Sequence, residues 1–296
     1  MLIDSHAHVI SDDFDKYPVG PIGGQLKPGV VDQPITAESL LRTMDLNGVE
    51  RSVLVQRAHI YGYNNDYVVD CAAKYPDRFL SVCCVDARRP DAAEKLKHLV
   101  KHRGAMGVRL MAPVASGHLT ATNDPGNVWF GGEAALEVWK VAGQVQIPLC
   151  IHFIPGNRLN GLGELSKIAQ RMPDVDVVVD HISNIDPAAK APHYGIDEAL
   201  LSLAPLQNVY LKLATINLAK WRSYGTDGSD VLSVLLGHFG PDRILWGSDI
   251  GQTKLEYSDM LDLAIKALEP FNDGVKNAIL GQTADKLYFR TRTGNV

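Results

Sequence analysis

Met1-Leu2-Ile3-Asp4-Ser5-His6-Ala7-His8 opens the chain, and its reading decides the fold. The run is short, starts apolar and ends in an Asp-x-His-x-His tail, so it reads as a strand. A stretch rich in Gly and Pro follows at 10–34. Residues 37–46 then place Leu40, Leu41, Met44 and Leu46 at helical spacing. This strand, loop and helix form a unit, and the unit recurs.

Seven more short apolar runs lie at 51–56, 79–85, 105–110, 147–152, 175–181, 209–213 and 244–248. Helical segments at 65–74, 91–102, 133–143, 163–171, 195–204, 230–239 and 257–268 alternate with them. A last helical stretch, 273–289, is expected to break at Gly281. Most strand runs are apolar at consecutive positions, as strands buried on both faces are. Eight such units predict one α/β domain over 1–296, a (β/α)8 TIM barrel. An open doubly wound sheet is the weaker alternative, because no Gly-x-Gly-x-x-Gly loop follows the first strand. Long loops at 10–34, 111–132 and 214–229 follow strands, which puts them on the C-terminal face, where barrel active sites are built.

Composition bounds the function. The 296 residues are 46% hydrophobic and 21% charged, as in an ordinary globular protein. A formal net charge of -5 argues against a nucleic-acid partner. No apolar run approaches the roughly 20 residues of a membrane span, and the first residues lack the pattern of a secretory signal. Cys71, Cys83, Cys84 and Cys150 have no metal-type spacing and read as reduced core thiols of a cytoplasmic protein.

Chemistry concentrates at strand ends. His6 and His8 are two apart, share a face and suit a divalent metal. Alone, the pair could equally be two polar residues at a barrel mouth. Other strands, however, end in His152, in Asp180-His181 and in Asp249. A His or Asp at the end of an apolar strand is costly to bury without a partner. In a closed barrel these ends converge as a nitrogen and oxygen site for zinc, or for manganese.

These motifs carry a resemblance. Asp4-x-His6-x-His8, Gly107-Val108-Arg109, His152, Asp180-His181, Lys212-Leu213 and Gly247-Ser248-Asp249 resemble the amidohydrolase superfamily, in its amidohydrolase-related, lactonase-like branch. The resemblance implies one divalent metal ion held by His6, His8, His152 and Asp249. It implies His181 as an acid/base or carbonyl-polarising group. It also implies hydrolysis of a small lactone, with Asp249 taking a proton from metal-activated water. Where the branch usually continues Ser-Asp with an aromatic residue and proline, this chain has Ile250-Gly251, which bears on pocket shape.

Arg109 is the candidate for gripping a substrate carboxylate; a structural ion pair is its other reading. Lys212 either points into the barrel toward substrate or pairs with an acid. Arg57, His59, Tyr61 and Tyr63 are candidate pocket residues after the second strand, and Trp221 and Tyr224 are candidate walls after the seventh. His98, His102, His118, His193 and His238 read as surface or capping residues. The alternative chemistry on the same ligands is a non-oxidative decarboxylase of a small aromatic or unsaturated acid. A metal- or ligand-binding barrel without turnover is disfavoured by the acid Asp249. The partner is a small molecule, and a homodimer through outer helices is compatible with the architecture.

Overall fold

The computed structural model describes residues 1–113 and 126–289. Eight parallel strands run in sequence order: β1 (Ile3–Ala7), β2 (Arg51–Val55), β3 (Phe79–Cys84), β4 (Gly107–Met111), β5 (Leu149–His152), β6 (Val177–Val179), β7 (Val209–Ala214) and β8 (Ile244–Gly247). Each neighbour pair is in parallel register, for example Val108 with Leu149 and Met111 with His152. β8 returns to β1, where Ala7 pairs with Ile250, and the ring closes as the barrel expected from sequence.

That seam is held by side chains as well as backbone. Ser5 Oγ donates to the Trp246 carbonyl at 2.6 Å, and Ser248 Oγ to Asp4 Oδ2 at 2.5 Å. Tyr257 Oη donates to the same carboxylate at 2.9 Å. The strands approach so closely that a Cβ on Gly247 would lie 2.5 Å from His6 Cβ. Only glycine fits there, and the close approach carries β8 to the point where Asp249 meets His6.

The helices wrap the barrel: α1 (Ala37–Leu46), α2 (Ala58–Tyr61), α3 (Asp66–Lys74), α4 (Ala92–Arg103), α5 (Val128–Gly131), α6 (Glu133–Gln144), α7 (Arg158–Arg171), α8 (Glu198–Leu201), α9 (Thr215–Ser223), α10 (Gly228–Phe239), α11 (Tyr257–Leu268) and α12 (Asp273–Asn277). α1 starts where Thr36 Oγ1 accepts the Ser39 amide, which satisfies one of the orphan donors of its first turn. Among the described residues, no helix is long and apolar enough to cross a membrane. Inside the barrel, Ile3, Val53, Val55, Val82, Cys150, Val178 and Leu245 pack together with Leu287 and Tyr288 from the C-terminal stretch. That stretch closes the end of the barrel away from the strand C-termini.

Several expectations need correction. Residues 214–229 are not a loop, because α9 leaves β7 directly. Its apolar residues do not fall on one face, so periodicity could not reveal it. Trp221 is buried in the main core and Tyr224 is exposed, so neither stands on a loop as a pocket wall. The break expected at Gly281 does not occur. The chain stays helical through widened turns to Phe289, since burial of Ile279, Ala284 and Tyr288 outweighs the low helix propensity of glycine. β6 ends at Val179, and Asp180–Asn184 form a separate turn. The helix expected at 195–204 shrinks to α8. His118 and Asn123-Asp124-Pro125, within the expected 111–132 loop, lie outside the described residues. All four cysteines are buried and free, as expected.

Candidate active site

The strand ends converge. His6 and His8 sit on one face of the first strand and its extension, with their Nε2 atoms 3.3 Å apart. His8 Nδ1 lies 2.7 Å from the Val55 carbonyl. A carbonyl only accepts, so Nδ1 carries the proton and the neutral ring turns a bare Nε2 inward. That Nε2 is 3.4 Å from Asp249 Oδ1, and His6 Nε2 is 3.7 Å from the same oxygen. One ligand atom each from His6, His181 and Asp249 lies within 4.8 Å of the others. The His152 ring stands beside this group, 5.4 Å from the His181 ring.

Asp249 has a left-handed backbone (φ 56), which turns its carboxylate back over the barrel mouth. Its amide donates to the His6 carbonyl at 2.8 Å. Thr253 Oγ1 donates to Oδ2 at 3.0 Å, and among the described residues Oδ1 has no hydrogen bond. The next glycine is part of the same device. Gly251 has φ +85, and a Cβ there would touch His8 Cβ at 3.0 Å. Ile250-Gly251, the departure from the branch pattern, therefore lets the chain pass tightly over His8.

Burial dominates the electrostatics. It pushes the His8 imidazole down to about 4 and the His59 imidazole to about 3. His6 and His152 are held well below the usual histidine range, first by burial and then by Lys212 and Arg109 respectively. His181 is lowered by burial too, although Asp249 and Asp180 pull the other way. At neutral pH these rings are uncharged, with lone pairs available. For Asp249, burial would raise the carboxyl, but the nearness of His8, His181 and Arg57 brings it below its ordinary range.

Beneath the histidines lies a charged triad. Arg109 Nε donates to Asp180 Oδ2 at 2.7 Å, and Lys212 Nζ stands 3.2 Å from Asp180 Oδ1 and 3.2 Å from His6 Nδ1. All three side chains are buried. Arg109 and Lys212 thus both pair with Asp180, Lys212 standing behind His6. Arg57, at the other side, donates to the Gly251 carbonyl at 3.2 Å and to Gln252 Oε1. Among the described residues no carboxylate forms an ion pair with it, and burial lowers its pKa to about 10. His59 lies two residues further on, its Nδ1 without a hydrogen-bond partner among the described residues. The Tyr61 hydroxyl accepts the Ser11 amide at 2.8 Å and its ring packs with Ile10, Tyr17 and Ile60, so Tyr61 braces the first long loop.

Sequence reasoning missed three contributors. Asp180 reads from sequence only as the neighbour of His181, yet it anchors Arg109 and Lys212. Thr253, four residues after Asp249, carries no signal. Nor does Asn217, whose side-chain amide reaches the His181 carbonyl at 2.9 Å.

The donor set fits a divalent cation. Among the described residues, His152 Nδ1, His181 Nδ1 and Asp249 Oδ1 are buried without hydrogen-bond partners. A buried unsatisfied polar atom costs about 1–3 kcal/mol, and several such atoms around one mouth mark a place where a ligand supplies the missing contacts. Imidazole nitrogens with a carboxylate are the ligands zinc and manganese accept.

Comparison with known proteins agrees with this fold. A 4-sulfomuconolactone hydrolase from Rhizobium radiobacter is 26% identical over 246 residues, 83% of this chain and 74% of that protein. A crystal structure described as a probable 2-pyrone-4,6-dicarboxylic acid hydrolase from Acinetobacter baumannii superposes with a TM-score of 0.72 at 20% identity, covering 98% of this chain and 99% of that one. The fold is also shared with a 2,6-dihydroxybenzoate decarboxylase from Rhizobium, at a TM-score of 0.67 and 15% identity over 97% and 98% of the two chains. The sequence model of the amidohydrolase family matches residues 3–290, from β1 through the C-terminal helical stretch. With its closed barrel and histidine-carboxylate mouth, this chain belongs to the amidohydrolase family of enzymes.

Proposed function

We propose that this protein is a metal-dependent hydrolase of a small lactone that carries an acidic group. The observation that carries the reading is Asp249 Oδ1, an ionised oxygen with no hydrogen bond among the described residues, facing the bare Nε2 of His8. Such an oxygen is placed to accept a proton from an attacking water. His6, His8, Asp249 and either His152 or His181 would hold the cation. When bound, a divalent ion supplies Lewis acidity to the substrate carbonyl and to water.

The chain's own residues then account for the proton. Asp249 Oδ1 takes it as the water oxygen bonds to the lactone carbonyl carbon. The same carboxyl returns it to the ring oxygen as the ester carbon–oxygen bond breaks, and a hydroxy acid leaves. Thr253 keeps Oδ2 oriented, so that only Oδ1 faces the substrate. A neutral His181 ring beside Asp249 can donate to the oxygen that gains charge.

Arg57 is the group for the substrate's acid. Arg109 has its charge met by Asp180, whereas among the described residues Arg57 hydrogen-bonds a carbonyl and an amide and feels Asp249 without forming an ion pair with it. A substrate carboxylate would supply its missing counterion. The 26% identical relative, a 4-sulfomuconolactone hydrolase, supports an anionic lactone. Zinc suits the donor set, with manganese second. Buried reduced cysteines and the absence of any disulfide among described residues fit a cytoplasmic setting.

The test is a screen of anionic lactones and aromatic acids with a pH indicator, with and without added zinc or manganese. Proton release without gas, dependent on metal, supports the reading. Carbon dioxide release from an aromatic acid, with no lactone turned over, replaces it by the decarboxylase.

A further inference from the structure

After β6 the backbone is left-handed for four residues in succession: His181 (φ 53), Ile182 (φ 48), Ser183 (φ 53) and Asn184 (φ 54). None is glycine. An L-residue in this region brings its Cβ too close to the following carbonyl, and a β-branched residue such as Ile182 is the least suited to it. Such a turn persists only where its surroundings over-determine it.

The surroundings are specific. Ile182 is fully buried in the main core. Arg158 Nε donates to Ser183 Oγ at 3.0 Å, and the same guanidinium is fixed by Asp197. Asn184 Nδ2 donates to the Phe153 carbonyl at 2.9 Å. Only one of these side chains reaches His181 itself. Asn217 is buried in the first turn of α9. Its Nδ2 donates to the His181 carbonyl at 2.9 Å, and its Oδ1 accepts the Ala214 amide at 3.2 Å.

We propose that Asn217 is a positioning residue: its amide holds the His181 carbonyl in the left-handed turn and so keeps the His181 imidazole within reach of His6 and Asp249. The proposal rests on the reading of His181 as a working group of the site. The two bonds of Asn217 have different uses. The one from Ala214 caps α9 and is structural, while the one to His181 aims the ring. Asn217→Asp separates them. The carboxylate keeps the acceptor for Ala214 and favours a helix N-terminus, but it cannot donate to a carbonyl.

The experiment compares wild type, Asn217→Asp and the double variant Asn217→Asp/Ser183→Gly. The first readout needs no substrate: the side-chain nitrogen resonances of His181, assigned through His181→Asn, in metal-free protein. The His181 signal is expected to shift or broaden in Asn217→Asp while that of His59 stays in place. It should return toward wild type in the double variant, because glycine carries no left-handed penalty. The second readout is kinetic: with a substrate in hand, kcat in Asn217→Asp falls about tenfold to a hundredfold with KM little changed, the scale expected of a misplaced group. An unmoved His181 signal overturns the proposal, as does a shift that the glycine leaves unrepaired. If Asn217→Asp fails to fold, the double variant decides: recovery of fold and His181 signal supports the clamp, and failure of both overturns it. A moved and repaired His181 signal with no hydrolysis of any lactone leaves Asn217 as the clamp and removes the hydrolase reading instead.

Discussion

Nζ of Lys212 stands 3.2 Å from Nδ1 of His6, with Asp180 Oδ1 equally close to the ammonium. The lysine is fully buried and reaches the site only through His6 and Asp180. It therefore acts on the site from behind. Lys212→Met removes one of the two cations that hold Asp180 well below the usual carboxylate range against the opposing effect of burial. Breaking a buried ion pair by deleting one partner costs about 3–5 kcal/mol. The expected result, read by urea unfolding, is a loss of that order. A loss below about 1 kcal/mol would show that Arg109 alone satisfies the acid.

Asp249→Asn keeps the size and the Thr253 contact but cannot accept a proton. A positioned general base contributes typically 10²–10⁴-fold. The hydrolysis rate should fall by about 100-fold or more, while the unfolding temperature changes little. Full activity in this variant would exclude Asp249 as the base.

Acid should destabilise the protein, and His59 shows the sign. Burial first, then Arg57 and Arg109, lower its folded pKa to about 3, against 6.5 for the unperturbed group. Between those values the unfolded chain holds a proton that the folded chain does not. Stability is therefore complete above about pH 6.5 and is lost progressively as the pH falls toward 3. His8, lowered to about 4, acts in the same direction. His59→Gln should flatten the curve of unfolding temperature against pH between pH 7 and 5. An unchanged slope would mean that the folded ring titrates normally.

Gly247→Ala and Gly251→Ala probe the two places where the chain presses on the histidines. At Gly247 the new Cβ would lie 2.5 Å from His6 Cβ and 2.8 Å from the His6 amide nitrogen. Backbone cannot yield cheaply there, and overpacking costs typically 1–3 kcal/mol, occasionally more. At Gly251 the backbone is left-handed and the His8 contact is 3.0 Å. The expected order of destabilisation is Gly247→Ala above Gly251→Ala, measured by chemical denaturation. The reverse order would show that the seam between β1 and β8 opens more easily than its hydrogen bonds suggest.

The barrel was legible because eight apolar runs, each followed by a helix pattern, leave few other solutions. α1 and α11 fall on the residues expected, since Leu40, Met44, Met260 and Leu261 are core residues at helical spacing. α9 was not legible, because Trp221 is buried by its neighbours and not by a periodic face. The candidate ligands were legible as His or Asp at strand ends. Their fine placement was not. Whether His152 or His181 stands nearest Asp249 turns on the left-handed residues 181–184, and these depend on Arg158 and Asn217, distant in sequence. The fate of Arg109 likewise depended on Asp180, 71 residues away.

That ambiguity makes the fifth ligand-type side chain testable. The family resemblance favours His152 as a ligand, whereas the close group in the structure contains His181, His6 and Asp249. The comparison is zinc binding by protein stripped with chelator, followed as the rise in unfolding temperature on adding metal. A ligand at 100 times its Kd stabilises the native state by about 2.7 kcal/mol, so a lost ligand is easily seen. If the cation sits within the close group, His181→Asn abolishes most of the stabilisation and His152→Asn only part of it. If the ring at β5 holds the metal, the order reverses, and His181 is left free to donate to the substrate carbonyl. Wild-type protein that gains no stability with millimolar zinc or manganese would remove the metal from the reaction. Asp249 would then have to work with the neutral histidines alone.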